Sequence, residues 1–103
     1  MIIVFSRDGV PIRLTDERWE HIRRRHPEMD SQRERVLETV GSPDCLQEGD
    51  LGELLALRHY EQTPLTSKFM GVAYRETAAD DGFVLTAYLT SRPSGARNVI
   101  WKR

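Results

Sequence analysis

The chain of 103 residues has one cysteine, three histidines and no apolar run near the length of a membrane span. Each shortage excludes something. A lone Cys45 cannot close an internal disulfide, which fits a reducing, cytoplasmic setting. A membrane-spanning helix takes about 20 apolar residues, so no membrane partner is expected. The opening run Met1–Phe5 lacks a basic leader and a small-residue cleavage site, and reads as a first strand rather than a signal peptide. There is no glycine-rich phosphate loop, no cysteine pair and no His-Glu-x-x-His pattern, so neither a metal nor another cofactor is expected. His21 and His26 are five residues apart, about 140° around a helix, which is the wrong spacing for a shared metal. Asp80-Asp81 reads as turn chemistry. Neither sign of charge prevails: 15 lysines and arginines face 16 aspartates and glutamates, a net charge of −1. No DNA partner is expected, and any contact with RNA must come from a local basic patch.

What is present describes one small domain, residues 1–103. Ile2–Phe5, then Asp8-Gly9, then Pro11–Leu14 predicts an N-terminal hairpin, with Pro11 holding its second strand to an edge. Thr15 is a good N-cap for a helix that ends near His26, before Pro27. Leu14 and Trp19 have the spacing of a hydrophobic staple. Asp16 and Glu17 in the first turn, and Arg23, Arg24 and Arg25 near the end, complement the helix dipole. Ser31 and Glu34 form a Ser-x-x-Glu capping box for a second helix, with Val36, Leu37 and Val40 as its apolar stripe. Gly41 suits the residue just past its end. From there the period becomes that of strands, over Leu54–Tyr60, Phe69–Arg75, Phe83–Arg92 and Val99–Trp101. The expected fold is α+β: two N-terminal helices packed on a small antiparallel sheet of three or four strands.

The Phe83–Arg92 strand alternates, which predicts a core face of Phe83, Leu85, Ala87 and Leu89. Val84, Thr86, Tyr88, Thr90 and Arg92 then face the other way. Arg58 groups with Tyr60, and Lys68 with Tyr74. An open face of tyrosines, threonines and basic groups can stack on bases and hold phosphate. A half-exposed antiparallel sheet also shows such a polar face without any ligand. On the first helix, Trp19, Ile22 and His26 share a stripe, so His26 is directed to the core side, within reach of the sheet edge. His21 falls four residues after Glu17, where an ion pair also accounts for it. Arg23 and Arg25 lie on what a solvated face would equally explain.

RNA cleavage by its own 2′-hydroxyl needs a base, an acid and cations for the phosphorane-like charge. His26 can be base or acid, with a tyrosine as its partner and Arg58 and Arg92 on the phosphate. The run Thr15-Asp16-Glu17-Arg18-Trp19-Glu20-His21-Ile22, followed by Arg25-His26-Pro27-Glu28-Met29, resembles the opening of small bacterial and phage-associated proteins. These are grouped with the barnase–EndoU–colicin–RelE-like nucleases. Ser42-Pro43-Asp44, Arg58-His59-Tyr60, Phe83–Tyr88 with Arg92, and Val99-Ile100-Trp101 look similar too. The resemblance implies a RelE/barnase-like fold and a metal-independent, toxin-like ribonuclease. Catalytic residues would be His26, Arg58, Tyr88 and Arg92. RNA would be bound by His21, Arg23, Arg25, Tyr60 and Thr86. The alternatives are a non-catalytic RNA- or protein-binding module on the same fold, and an antitoxin- or immunity-like protein with a protein partner.

Overall fold

The computed structural model describes all residues, Met1–Arg103, and its main feature is one seven-stranded sheet. In chain order the elements are β1 (Ile2–Phe5), β2 (Pro11–Leu14), α1 (Asp16–Arg25) and a short 3₁₀ turn (Pro27–Met29). Then come α2 (Arg33–Gly41), β3 (Cys45–Glu48), β4 (Leu54–Tyr60), β5 (Lys68–Ala78), β6 (Asp81–Thr90) and β7 (Val99–Lys102). The sheet order is β1-β2-β6-β5-β4-β3-β7, with β2 parallel to β6 and every other pair antiparallel. This corrects the expected two helices on a small antiparallel sheet: the fold is dominated by a mixed sheet. No helix is long and apolar enough to cross a membrane.

The correction has three local causes. The N-terminal hairpin forms, with Gly9 at φ +81° in its turn, but it joins the sheet instead of standing apart. Pro11 does not hold β2 to the edge, because β2 meets β6 only from Ile12 and Arg13 onward. The proline's missing N–H therefore interrupts no bond on that side. Arg13 then clips the junction through two bonds to Asp81, at 3.0 and 3.3 Å. These bonds hold the Asp81 carboxyl below the usual carboxylate range. Finally, β3 has four residues, too few to show a period.

The helix ends follow the sequence in part. Thr15 accepts from the Arg18 N–H at 3.1 Å as an N-cap, and His26 closes α1 before Pro27 opens the 3₁₀ turn. The Ser31–Glu34 capping box does not form. Gln32 occupies the cap without a side-chain bond to the helix backbone; its Nε2 donates to Ser31 Oγ and its Oε1 accepts from the Arg35 guanidinium at 3.3 Å. Gly41 is the last helical residue rather than a left-handed cap. Its use is close approach, since a Cβ there would stand 3.2 Å from Val4 Cγ2 on β1.

The core lies on the helix-bearing face of the sheet. Trp19 and Ile22 of α1, Met29 of the 3₁₀ turn, and Val36 and Val40 of α2 pack on Ile12, Leu14, Met70, Val72, Tyr74, Val84 and Ala87. A side chain from one end of the sheet reaches the other end. Arg7, in the β1–β2 turn, places its guanidinium 4.3 Å from the centre of the Trp101 ring on β7, a cation–π contact. The turn also caps β5, where Ser6 Oγ donates to Glu76 Oε2 at 2.6 Å. Burial raises the Glu76 carboxyl, and Asp8 raises it further. Below this cap the Tyr74 hydroxyl is fully buried and has no partner.

Two stability predictions follow from that cap. An orphaned hydroxyl costs about 1–3 kcal/mol, so Tyr74→Phe is expected to raise the urea midpoint. A clear fall would mean that the hydroxyl has a partner. Glu76 titrates above its ordinary 4.5 in the folded chain, so folding favours its protonated form. That stabilisation is complete below the unfolded value and is lost as pH rises through the raised folded value. Glu76→Gln should therefore gain on the wild type in melting temperature as pH rises from 4.5, and the gain should level off once pH passes the raised folded value; a constant gap would contradict it.

Candidate functional site

The sheet's second face builds a cleft because β6 and β7 are not neighbours. Three strands separate them, so Ser91–Asn98 must bridge four inter-strand steps, roughly 19 Å at ordinary strand spacing. Eight residues reach roughly 26 Å when extended, so the segment has little slack. It crosses the face opposite the helices. Gln47, buried on β3, donates from Nε2 to the Ser94 carbonyl at 2.9 Å and pins the crossing at its middle. Arg97 holds the far end with bonds to Asp50 at 2.9 and 3.4 Å. The Glu48 N–H donates to the Asn98 carbonyl at 2.9 Å. Leu55 and Leu57 are buried although they stand outside the main core cluster; they belong to this second face.

Beneath the crossing is a cavity of about 640 Å³, lined by Gln47, Leu57, Tyr88, Thr90, Ser91, Arg92, Ser94 and Arg97, among others. No carboxylate lines it. Strand register explains how Tyr88 reaches the cavity. Leu57, Gly71 and Tyr88 stand in one cross-strand row. Tyr88 leans across β5: a Cβ at position 71 would come within 2.6 Å of the tyrosine Cζ. Glycine at 71 therefore leaves the ring room to lie down. Burial raises the Tyr88 hydroxyl above its ordinary value, with Arg97 opposing, so the group remains a hydrogen-bond donor at neutral pH. Arg92 is exposed and has no ion-pair partner, whereas Arg97 is paired with Asp50.

The structure brings some sequence-expected residues together and parts others. Tyr88 and Arg92 share the cleft, and Thr86 lies on the same face, beside Ala73. Arg58 and Tyr60 lie on the opposite face, because Arg58 pairs with Met70 and Tyr60 with Lys68. There both hold α2 to the sheet. Arg58 donates to the Ser42 carbonyl, and the Tyr60 hydroxyl donates to Glu38. Burial and the Glu38 bond push that hydroxyl up to about 12. Arg35 lies over the Tyr60 ring at 4.5 Å. His26 is half-buried at the end of α1, with Nδ1 3.5 Å from Glu28 Oε1, and it does not line the cleft. His21 lines a separate hollow with Thr15, Glu17 and Arg18. Arg23 is held by Glu20 and Asp30, at 3.0 and 2.6 Å, and Arg25 is exposed on α1. The expected convergence of His26, Arg58, Tyr88 and Arg92 in one cleft therefore does not occur.

Strict alternation along β6 also fails. The register shifts between Ala73 and Tyr74, so Leu85 has no partner and Val84 pairs with Tyr74 in the core. Phe83 consequently moves to the outer face, opposite Arg75. A β-bulge of this kind reverses the face on which side chains fall. Sequence reasoning also missed Gln47 and Arg97. Their signal is weak, since a polar residue in a four-residue strand and an arginine in a loop are both ordinary. Comparison of the chain with family models, with curated proteins and with solved structures gives no match.

Gln47→Ala should release the crossing. One hydrogen bond contributes about 0.5–1.5 kcal/mol, so global stability falls modestly. Amide exchange at residues 91–98 should quicken far more than exchange in β5. Equal quickening in both would show that the crossing is held by other means.

Proposed function

We propose that the protein binds single-stranded RNA in the cleft beneath the Ser91–Asn98 crossing. The observation that carries this reading is one cavity lined by Tyr88 and the unpaired Arg92, with no carboxylate residue in its lining. An aromatic ring with guanidinium groups beside it suits a strand whose bases are free to stack. The net charge of −1 argues against attraction spread over the whole surface, so affinity rests on a few contacts. The nuclease resemblance of Thr15–Ile22 and Arg25–Met29 agrees with RNA as the partner.

A metal-independent ribonuclease is the second reading, favoured by one cavity whose lining holds Tyr88 and two arginines, Arg92 and Arg97. The 2′-oxygen would attack phosphorus as the bond to the 5′-oxygen breaks. The 2′ proton would pass to solvent, and Tyr88 would donate to the leaving oxygen. Arg92 and Arg97 would stabilise the charge gathering on the phosphate oxygens. The cavity itself offers no histidine or carboxylate as base, so binding comes before cleavage in this account.

The test uses a fluorescent single-stranded RNA at several salt concentrations, with EDTA throughout. Each phosphate contact contributes a slope of about 0.7 in log affinity against log salt, so one or two contacts give a shallow dependence. Arg92→Ala should weaken binding and reduce the slope by about 0.7. Arg24→Ala, on the far helix, should do neither. Weakening by His26→Ala with full binding by Arg92→Ala would move the site to the helix and overturn the reading. Cleavage of transfer RNA in the same buffer, lost in Tyr88→Phe, would support the second reading; intact RNA would remove it.

A further inference from the structure

We infer that the cleft is built for one nucleotide unit, its base against the Tyr88 ring and its phosphate on Arg92, with Gly71 as the residue that positions the ring. The inference rests on the RNA reading and deepens it. The cavity of about 640 Å³ is within the range of pockets that enclose a small organic ligand. Ser91, Arg92, Pro93, Ser94, Gly95 and Arg97 of the crossing form part of its lining. A chain of stacked bases would need a row of rings, and Tyr88 is the only aromatic residue in the lining.

Gly71 is central because its missing side chain is where the Tyr88 ring lies. A Cβ there would meet Cζ at 2.6 Å, Cε2 at 2.7 Å and the hydroxyl oxygen at 3.0 Å. Real Cβ atoms do not approach so closely, so an alanine must lift the ring off β5 and into the cavity. Gly71 has no positive φ, so the alanine causes no backbone strain and acts through the ring alone. Gly71 has no side chain to touch a ligand; it acts through Tyr88.

The test measures binding of adenosine 3′-monophosphate, adenosine and inorganic phosphate to the full chain, beside the RNA titration. The mononucleotide should bind more tightly than either fragment. Tyr88→Ala should weaken it roughly tenfold, the usual size of a lost stacking contact. Gly71→Ala should weaken it to a similar degree in a wild-type background and have almost no effect in a Tyr88→Ala background, because the two act as one unit. A ring current from Tyr88 should shift the Gly71 α-protons in the wild type, and the shift should vanish in Tyr88→Ala. If Gly71→Ala does not fold, Tyr88→Ala and the α-proton shift decide alone. Phosphate binding as tightly as the mononucleotide, or Gly71→Ala acting equally in both backgrounds, would overturn the inference. RNA binding with no mononucleotide binding would overturn the single-unit site and leave the RNA reading standing. Mononucleotide binding with no RNA binding would do the reverse.

Discussion

The distance between β6 and β7 governs the second face of the molecule. Consecutive strands usually lie side by side, yet these two are separated by β5, β4 and β3. Eight residues must cross the gap, and one face of the sheet is already filled by helices. The crossing therefore runs over the other face and turns what would be a plain polar surface into a covered one. Burial of Leu55, Leu57 and Gln47 there follows from that crossing. So does the delivery of Arg92 and Arg97 to opposite ends of one segment above Tyr88. The bond from Gln47 to the Ser94 carbonyl fixes the middle of that segment over the face.

The two faces divide the polar residues between structural and candidate ligand-binding work. On the helix face, Arg58 and Tyr60 are committed to Ser42, Glu38 and Arg35. On the crossed face, Arg92 is uncommitted and Tyr88 is constrained mainly by the shape of β5. This contrast decides between residues that look alike in sequence. Arginine and tyrosine in a strand are equally suited to holding a helix or a phosphate. Their partners, set by register, tell which.

Local features were legible in the chain. The Thr15 cap, the stop at Pro27, the Asp8-Gly9 turn and the span Leu54–Tyr60 all follow from short-range chemistry that the sequence displays. The sheet's extent was not. Parallel pairing of β2 with β6 joins residues about 70 positions apart, and four-residue strands such as Cys45–Glu48 carry too few side chains to show a period. The candidate site was half legible. Tyr88 and Arg92 follow from alternation, but the bulge at Leu85 reverses the faces upstream of it. Arg58 and Tyr60 were placed with them because the sequence does not say which face of β4 the helices cover. His26 follows Ile22 by four residues, but it is the half-buried residue that closes α1, outside the core cluster, and it does not line the cleft.

The central claim is that ligand binding occurs on the crossed face and not on the basic helix. The most direct measurement is an amide and side-chain chemical-shift map of the labelled protein titrated with a short single-stranded RNA. The account predicts that shifts concentrate at Gln47, Gly71, Tyr88, Arg92 and Arg97, with Arg58 and Tyr60 unmoved behind the sheet. Shifts confined to His21, Arg23, Arg25 and His26, with the crossed face silent, would contradict it.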